Sequence, residues 1–218
     1  MSDGSGILAQ QRGVTMNNNV LEQLSTLPIK EQRIAVLIRH GERYAISEGS
    51  FGLDALLTPE GMSAAVKFGR AIARYPVMRI YSSPIKRCVQ TAECIMHGLQ
   101  RNVGISSEDN LGNPGFHVSN ALIAGVHFMR YGAIGVFEKF AAGEVLPGVA
   151  NLSCLQKGAL HWLDERCYGN GLFVYVTHDS LIAHFAYANN LRGYSRGLWV
   201  DYLDGIVVIF PKTPERGC

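Results

Sequence analysis

Neither cysteine pairing nor a long hydrophobic run organises this sequence. Its five cysteines, Cys88, Cys94, Cys154, Cys167 and Cys218, are odd in number and form no CxxC pair, which argues against a disulfide framework and a zinc knuckle. No apolar segment approaches the ~18–20 residues of a membrane span, and residues 1–20 lack the basic start and apolar stretch of a secretory signal. A soluble cytoplasmic protein with no membrane partner is expected. Charge of one sign is equally scarce as a block: 20 basic and 18 acidic residues give a net +2, and no cluster is long enough to suggest nucleic acid as a partner. Any positive site must be local.

Known chemical signatures are also missing. His97, His117, His127, His161 and His184 show no HExxH or other ligand spacing, so they read as structural histidines and no metal or other cofactor is called for. The Gly169-Asn170-Gly171 stretch precedes a strand rather than a helix, which makes it a turn and not a dinucleotide loop. Ser82 and Ser83 lie in no GxSxG frame and are expected to support a pocket wall.

What is present is alternation. With 218 residues, 47% of them hydrophobic, the chain suits one globular domain over residues 31–218. Residues 1–30 read as a flexible or helical leader, with "NVLEQLSTLPIKEQ" supplying a short helix, and the fold is expected to start near Arg33. "RIAVLIRH", "PVMRIYSS", "NVGISS", "GLFVYVTH" and "GIVVIFP" have strand character. Between them, "LTPEGMSAAVKFGRAIARY" has Thr58 as N-cap and Pro59 at the first helical position, and "PIKRCVQTAECIMHGLQ", "LSCLQKGALHWLDERC" and "DSLIAHFAYANNL" have helical spacing. The pattern predicts a three-layer α/β/α sandwich with a mostly parallel central sheet, and no internal repeat is visible. Residues 107–150, punctuated by Gly and Pro, read as a small helical insertion of two short helices covering one end of the sheet.

Two strands run into charge. Arg39, His40 and Arg43 follow one strand, and His178 and Asp179 follow another. A third strand end adds Arg87 on the first turn of its helix. Because ligands bind at the carboxyl ends of strands in open α/β sheets, these groups are expected to converge. Planar guanidinium forks suit phosphate oxygens, and a neutral imidazole nitrogen among them can attack phosphorus in line to give a phosphohistidine. Asp179 has two available roles: general acid for the leaving oxygen, or N-cap of the helix over "SLIAHF". Glu93, Glu108 and Asp109 are the other candidate acids.

With these residues in view, the sequence resembles the histidine phosphatase superfamily, which includes phosphoglycerate mutases, acid phosphatases and phytases. Arg39-His40-Gly41-Glu42-Arg43, "SSPIKRCVQTAE" and Thr177-His178-Asp179 look like its three signature blocks, in order, over about Arg33 to Phe210. The resemblance implies an α/β core, His40 as the phosphorylated nucleophile, and Arg39, Arg87 and His178 as phosphate ligands. Arg43 and the His-Asp pair are similar to the acid phosphatase branch, in which the aspartate is the proton donor, whereas the mutase branch usually has His-Gly. Ala45 departs from that branch, which commonly has proline there, and the chain is much shorter than those secreted, disulfide-bonded enzymes.

The expected activity is that of a metal-independent phosphomonoesterase, needing no cofactor, acting on a small phosphorylated metabolite. A phosphotransferase or mutase and a non-catalytic phospho-ligand-binding module are the alternatives. Of the insertion's aromatics, Phe116, Phe128, Tyr131, Phe137 and Phe140, most are expected in the core and one or two at the substrate pocket. "LRGYSRGLWVDYLDG" is either a loop beside the site or a surface hairpin.

Overall fold

A computed structural model describes residues 19–47 and 49–211. Its centre is a five-stranded sheet in the order β3-β2-β4-β1-β5, with β1 Arg33–Arg39, β2 Val77–Ser82, β3 Ile105–Ser107, β4 Gly171–Thr177 and β5 Gly205–Phe210. The first four strands are mutually parallel, and β5 runs antiparallel to β1. The strands in the middle, β1 and β4, are continuously apolar because helices cover both of their faces.

Side-chain alternation divides the core into two layers. Ile34, Val36 and Ile38 of β1, with Leu172, Val174 and Val176 of β4, pack against helices α1 (Val20–Ser25), α2 (Pro59–Ile72) and α3 (Lys86–Leu99). Ala35, Leu37, Phe173 and Tyr175 face the opposite way, onto α4 (Ala121–Ala141), α5 (Leu160–Arg166) and α6 (Asp179–Ala188). This is the α/β sandwich with a mixed, mostly parallel sheet. The expected short helix forms as α1, and its Val20 and Leu24 are buried in the first layer, so the core reaches upstream of Arg33. Residues 1–18 of the leader lie outside the described residues.

Local chemistry sets the helix starts. Thr58 caps α2 by accepting from the Gly61 amide, and Pro59 occupies the first turn, where no donor is needed. Helices α2 and α3 then touch almost backbone to backbone, because Gly69 and Gly98 carry no Cβ to collide with the facing carbonyls of Ile95 and Val66. That close pairing draws α3, and Arg87 on it, toward the end of β1.

Within residues 107–150 the two expected helical stretches appear as α4, interrupted at Gly132, whose φ of 67° and ψ of 174° are non-helical. The first half of α4 faces the carboxyl ends of the strands. Among the described residues, no helix is long and apolar enough to cross a membrane.

Candidate active site

The parallel register sets the site. Arg39 lies opposite Thr177 and Ser82 opposite Val176, so the residues that follow β1, β4 and β2, namely His40, His178 and Ser83, emerge side by side. The His40 amide donates to the Thr177 carbonyl at 3.0 Å, and the Ser83 amide donates to the Val176 carbonyl at 3.0 Å. The rings of His40 and His178 end 5.5 Å apart, edge to face.

Each imidazole has a definite proton. His40 Nδ1 lies 2.7 Å from the Gly41 carbonyl, which can only accept, so Nδ1 carries the hydrogen and Nε2 keeps its lone pair. Burial drives the His40 pKa down to about 3, with Arg87, Arg39 and Arg43 adding to the effect against the Gly41 bond. His40 is therefore neutral, with its lone pair on Nε2. His178 is buried as well, and burial followed by the Arg87 guanidinium holds it well below the ordinary histidine value. Its Nδ1 accepts from Arg87 Nη2 at 3.2 Å, which leaves the hydrogen on Nε2, 3.1 Å from Ser83 Oγ.

Arg87 links the two rings. Its Nε donates to His40 Nε2 at 3.0 Å, and its Nη1 donates to the Gly52 carbonyl at 2.6 Å. One guanidinium thus holds both histidine lone pairs, and an anion that took this fork onto its own oxygens would leave His40 Nε2 unpaired. Thr91, one turn along α3, accepts from the Gly41 amide at 3.0 Å and donates to the Arg87 carbonyl at 2.7 Å, which ties the loop carrying His40 to the helix carrying Arg87.

Arg39 stands on the far side of His40. Its Nη1 donates to the Val200 carbonyl at 2.7 Å, its Nη2 lies 3.1 Å from Asp179 Oδ2, and its guanidinium carbon sits 4.2 Å from the centre of the Tyr202 ring. Arg43 is held by the loop, with Nη1 donating to the Tyr44 carbonyl at 2.9 Å, near enough for its charge to act on His40 and Arg87.

Asp179 is the first residue of α6 and His178 the capping position, so the aspartate does not itself cap the helix. Its Oδ1 accepts from the Ser180 amide at 2.8 Å, and its Oδ2 accepts from Trp199 Nε1 at 3.1 Å as well as from Arg39. The other candidate acids stand elsewhere: Glu93 is exposed on α3, Glu108 pairs with Arg166 at 3.3 Å, and Asp109 is exposed at the start of a short turn.

The sequence reading left several site residues unassigned. Trp199, Val200 and Tyr202 show that the loop before β5 lines the site, which its aromatic content and its place beside β1 could have suggested. Gly112 carried no motif. A Cβ there would lie 2.5 Å from His178 Cδ2 and Nε2 and 2.6 Å from Ser83 Oγ, so the second histidine keeps its position because this residue is glycine. Beyond His178 and Arg87 opens a cavity of about 300 Å³, walled by Phe51, Leu53, Ile85, Val118 and Phe128 among others. Phe128 is thus the pocket-lining aromatic of the insertion, whereas Phe137 is buried in the core and Phe116 is packed against it. Among the described residues, no three His, Cys, Asp or Glu side chains gather as a metal site.

With this geometry in hand, comparison with known proteins is informative. Residues 35–131 match the model of the histidine phosphatase superfamily, branch 1. The search of curated proteins gave no match. Among solved structures, Bacillus stearothermophilus YhfR is 19% identical with a TM-score of 0.52, over 83% of this chain and 92% of that one. A phosphoglycerate mutase from Bacillus anthracis is 15% identical with a TM-score of 0.50, over 79% and 94%. A mycobacterial glucosyl-3-phosphoglycerate phosphatase is 18% identical with a TM-score of 0.50, over 75% and 86%. At such identities the likeness is one of fold.

The match to branch 1 corrects the expectation of kinship with the acid phosphatase branch. That expectation rested on Arg43 and on the aspartate after His178. Here the aspartate ties together Arg39, Trp199 and the first turn of α6. The Arg39-His40-Gly41 block and Arg87 lie within residues 35–131, the part of the chain that is similar to the histidine phosphatase superfamily, branch 1.

Proposed function

We propose that the protein is a phosphomonoesterase that works through phosphorylated His40. The supporting observation is the state of that side chain: a buried neutral imidazole, its Nδ1–H anchored on the Gly41 carbonyl and its Nε2 lone pair directed at a guanidinium where three arginines act. Phosphate takes the Arg87 fork, with Arg39, Arg43 and His178 as the other ligands, and His40 Nε2 forms a bond to phosphorus as the ester P–O bond breaks. Charge spreads over the equatorial oxygens, where preorganised donors contribute about 3 kcal/mol each. Once phosphate has drawn Arg39 away, Asp179 takes up the proton that the phosphate monoanion carries in and passes it to the leaving oxygen. Water then attacks phosphorus, giving its proton to Asp179, and the N–P bond breaks to release inorganic phosphate and restore His40.

The guanidinium groups supply the positive charge, so turnover is expected without a metal, on a small phosphate ester. Superfamily members are mostly phosphatases and mutases, and the solved neighbours include one of each, so the fold does not choose between them. The test is hydrolysis of an aryl phosphate, with chelator present, by the native protein and by His40→Ala. Activity that resists chelation and falls ~10⁴-fold or more in the variant supports the reading, a drop of the size seen when nucleophiles are removed. Equal activity in both proteins overturns it, and product that forms only with an added acceptor alcohol makes the protein a transferase.

A further inference from the structure

The cavity beside the phosphate ligands indicates what the ester carries. Its floor is Arg87 and His178, and its walls are Phe51, Leu53, Ile85 and Phe128. Among the described residues that line it, Arg87 is the charged one, and that guanidinium belongs to the phosphate. His117, also in the wall, is held by burial well below its ordinary pKa and stays neutral. Lys86, next in sequence to Ile85, is already paired with Asp54 at 2.7 Å. A carboxylate pushed into this space would lose water and gain no cation, which is costly.

The rim continues the walls. Phe51 and Leu53 are 52% and 56% exposed, and Leu122, Val126 and Met129 on the outer side of α4 are 87%, 65% and 49% exposed. Their spacing makes them neighbours on one helix face, and Gly49 and Gly125 bring the loop of Phe51 against that helix. Single exposed apolar residues need no explanation, but a set continuous with a ligand cavity does.

We infer that the leaving group is an uncharged apolar alcohol, aryl or alkyl, whose chain lies in the Phe51–Phe128 cavity and extends over the apolar rim. This deepens the phosphomonoesterase reading and rests on it for the position of the phosphate. The class excludes esters whose alcohol carries a carboxylate near the phosphate.

Binding of phosphonates tests the inference apart from catalysis, since their P–C bond does not break. Calorimetry on the native protein would compare methyl-, butyl-, hexyl- and phenylphosphonate with 2-carboxyethylphosphonate. Affinity should rise by up to about fourfold per added methylene until the cavity is filled, the ratio expected for burying each group. The carboxyethyl compound should bind no tighter than the methyl one. Phe51→Ser and Leu53→Ser, at half-exposed positions that folding tolerates, should flatten the dependence on chain length. An affinity independent of chain length, tighter binding of the carboxylate, or an unchanged slope in both serine variants would overturn the inference. If the series behaves as expected but no His40-dependent turnover of any ester is found, the phosphatase reading fails and the apolar site stands.

Discussion

The two ends of the pocket are built on opposite plans. At the phosphate end most polar atoms are partnered and aimed: Arg87 Nε, Nη1 and Nη2 each have an acceptor, His40 Nδ1 is fixed on Gly41, and Asp179 joins Arg39, Trp199 and Ser180, while Arg39 Nε is buried without a protein partner. At the other end the walls are mostly apolar side chains from a loop, a turn and a helix, ranging from buried (Ile85, Ala124) to half exposed (Phe51, Leu53) and held by contact rather than by hydrogen bonds. The first plan fits a charge that is the same in every phosphate ester, because preorganised dipoles act without rearranging. The second fits an alcohol recognised by area and shape, which tolerates variation. Rate should therefore reside in one end and selectivity in the other.

The strongest way to break that division is Asp179→Asn, which keeps the side-chain shape and removes the proton carrier. Turnover of an alkyl phosphate should fall by ~10²–10³, whereas an aryl phosphate with a stable phenolate, which leaves without a proton, should lose far less. Equal losses for both esters would reduce Asp179 to an anchor for Arg39 and Trp199.

A smaller pair of effects comes from two glycines, one at each end. Gly112→Ala places a methyl 2.5 Å from the His178 ring, so the imidazole must move. A displacement of this kind should lower kcat by about 10–100-fold, in the same proportion for all esters. Gly125→Ala adds a methyl 3.4 Å from the Phe51 ring, an ordinary contact that narrows the cavity. It should weaken turnover of long or bulky esters and leave methyl phosphate untouched. If Gly112→Ala instead altered preference among alcohols, the two ends would not be separable.

The phosphate end was largely legible in the sequence because its chemistry is local. A continuous apolar strand running into Arg39-His40, and another into His178-Asp179, places four groups at the carboxyl end of the sheet by topology alone, and Arg87 follows from a helix starting at the next strand end. Residues that act through long-range contacts were not legible. Trp199 reaches Asp179 across 20 positions, and Thr91 reaches Gly41 across 50. Gly112 matters only through a ring 66 positions away in sequence, as 178 − 112 gives. The apolar end was the least legible, since a pocket-lining Phe128 and a core Phe137 look alike in sequence and are separated by the break at Gly132. The antiparallel course of β5 was likewise invisible, because either direction buries the same apolar run.

The last effect concerns protons rather than residues and changes stability rather than rate, and it touches both ends equally. Four histidines are held neutral by burial: His40, lowered to about 3, and His178, lowered well below its usual value, at the phosphate end; His117, also well below, in the wall of the cavity, and His184, lowered to about 4, packed against it. The unfolded chain takes up protons at these sites below about pH 6.5, while the fold refuses them until far lower. Their contribution to stability is whole above pH 6.5 and is lost as pH falls toward 4, each group contributing up to about 1.4 kcal/mol per pH unit. At roughly 2–4 °C per kcal/mol for a chain of this size, the melting temperature should drop by about 10 °C or more between pH 7.5 and 5.5 if all four rings contribute in full. Sulfate, an anion that does not titrate in this range, should sit beside His40 and His178, raise their proton affinity in the fold, and remove their share of the slope while leaving that of His117 and His184. A melting temperature independent of pH would mean that these rings are not buried neutral, and a slope unaffected by sulfate would separate His40 and His178 from the anion site. If sulfate removes about half of the slope, the two ends respond to protons independently, as their different construction requires.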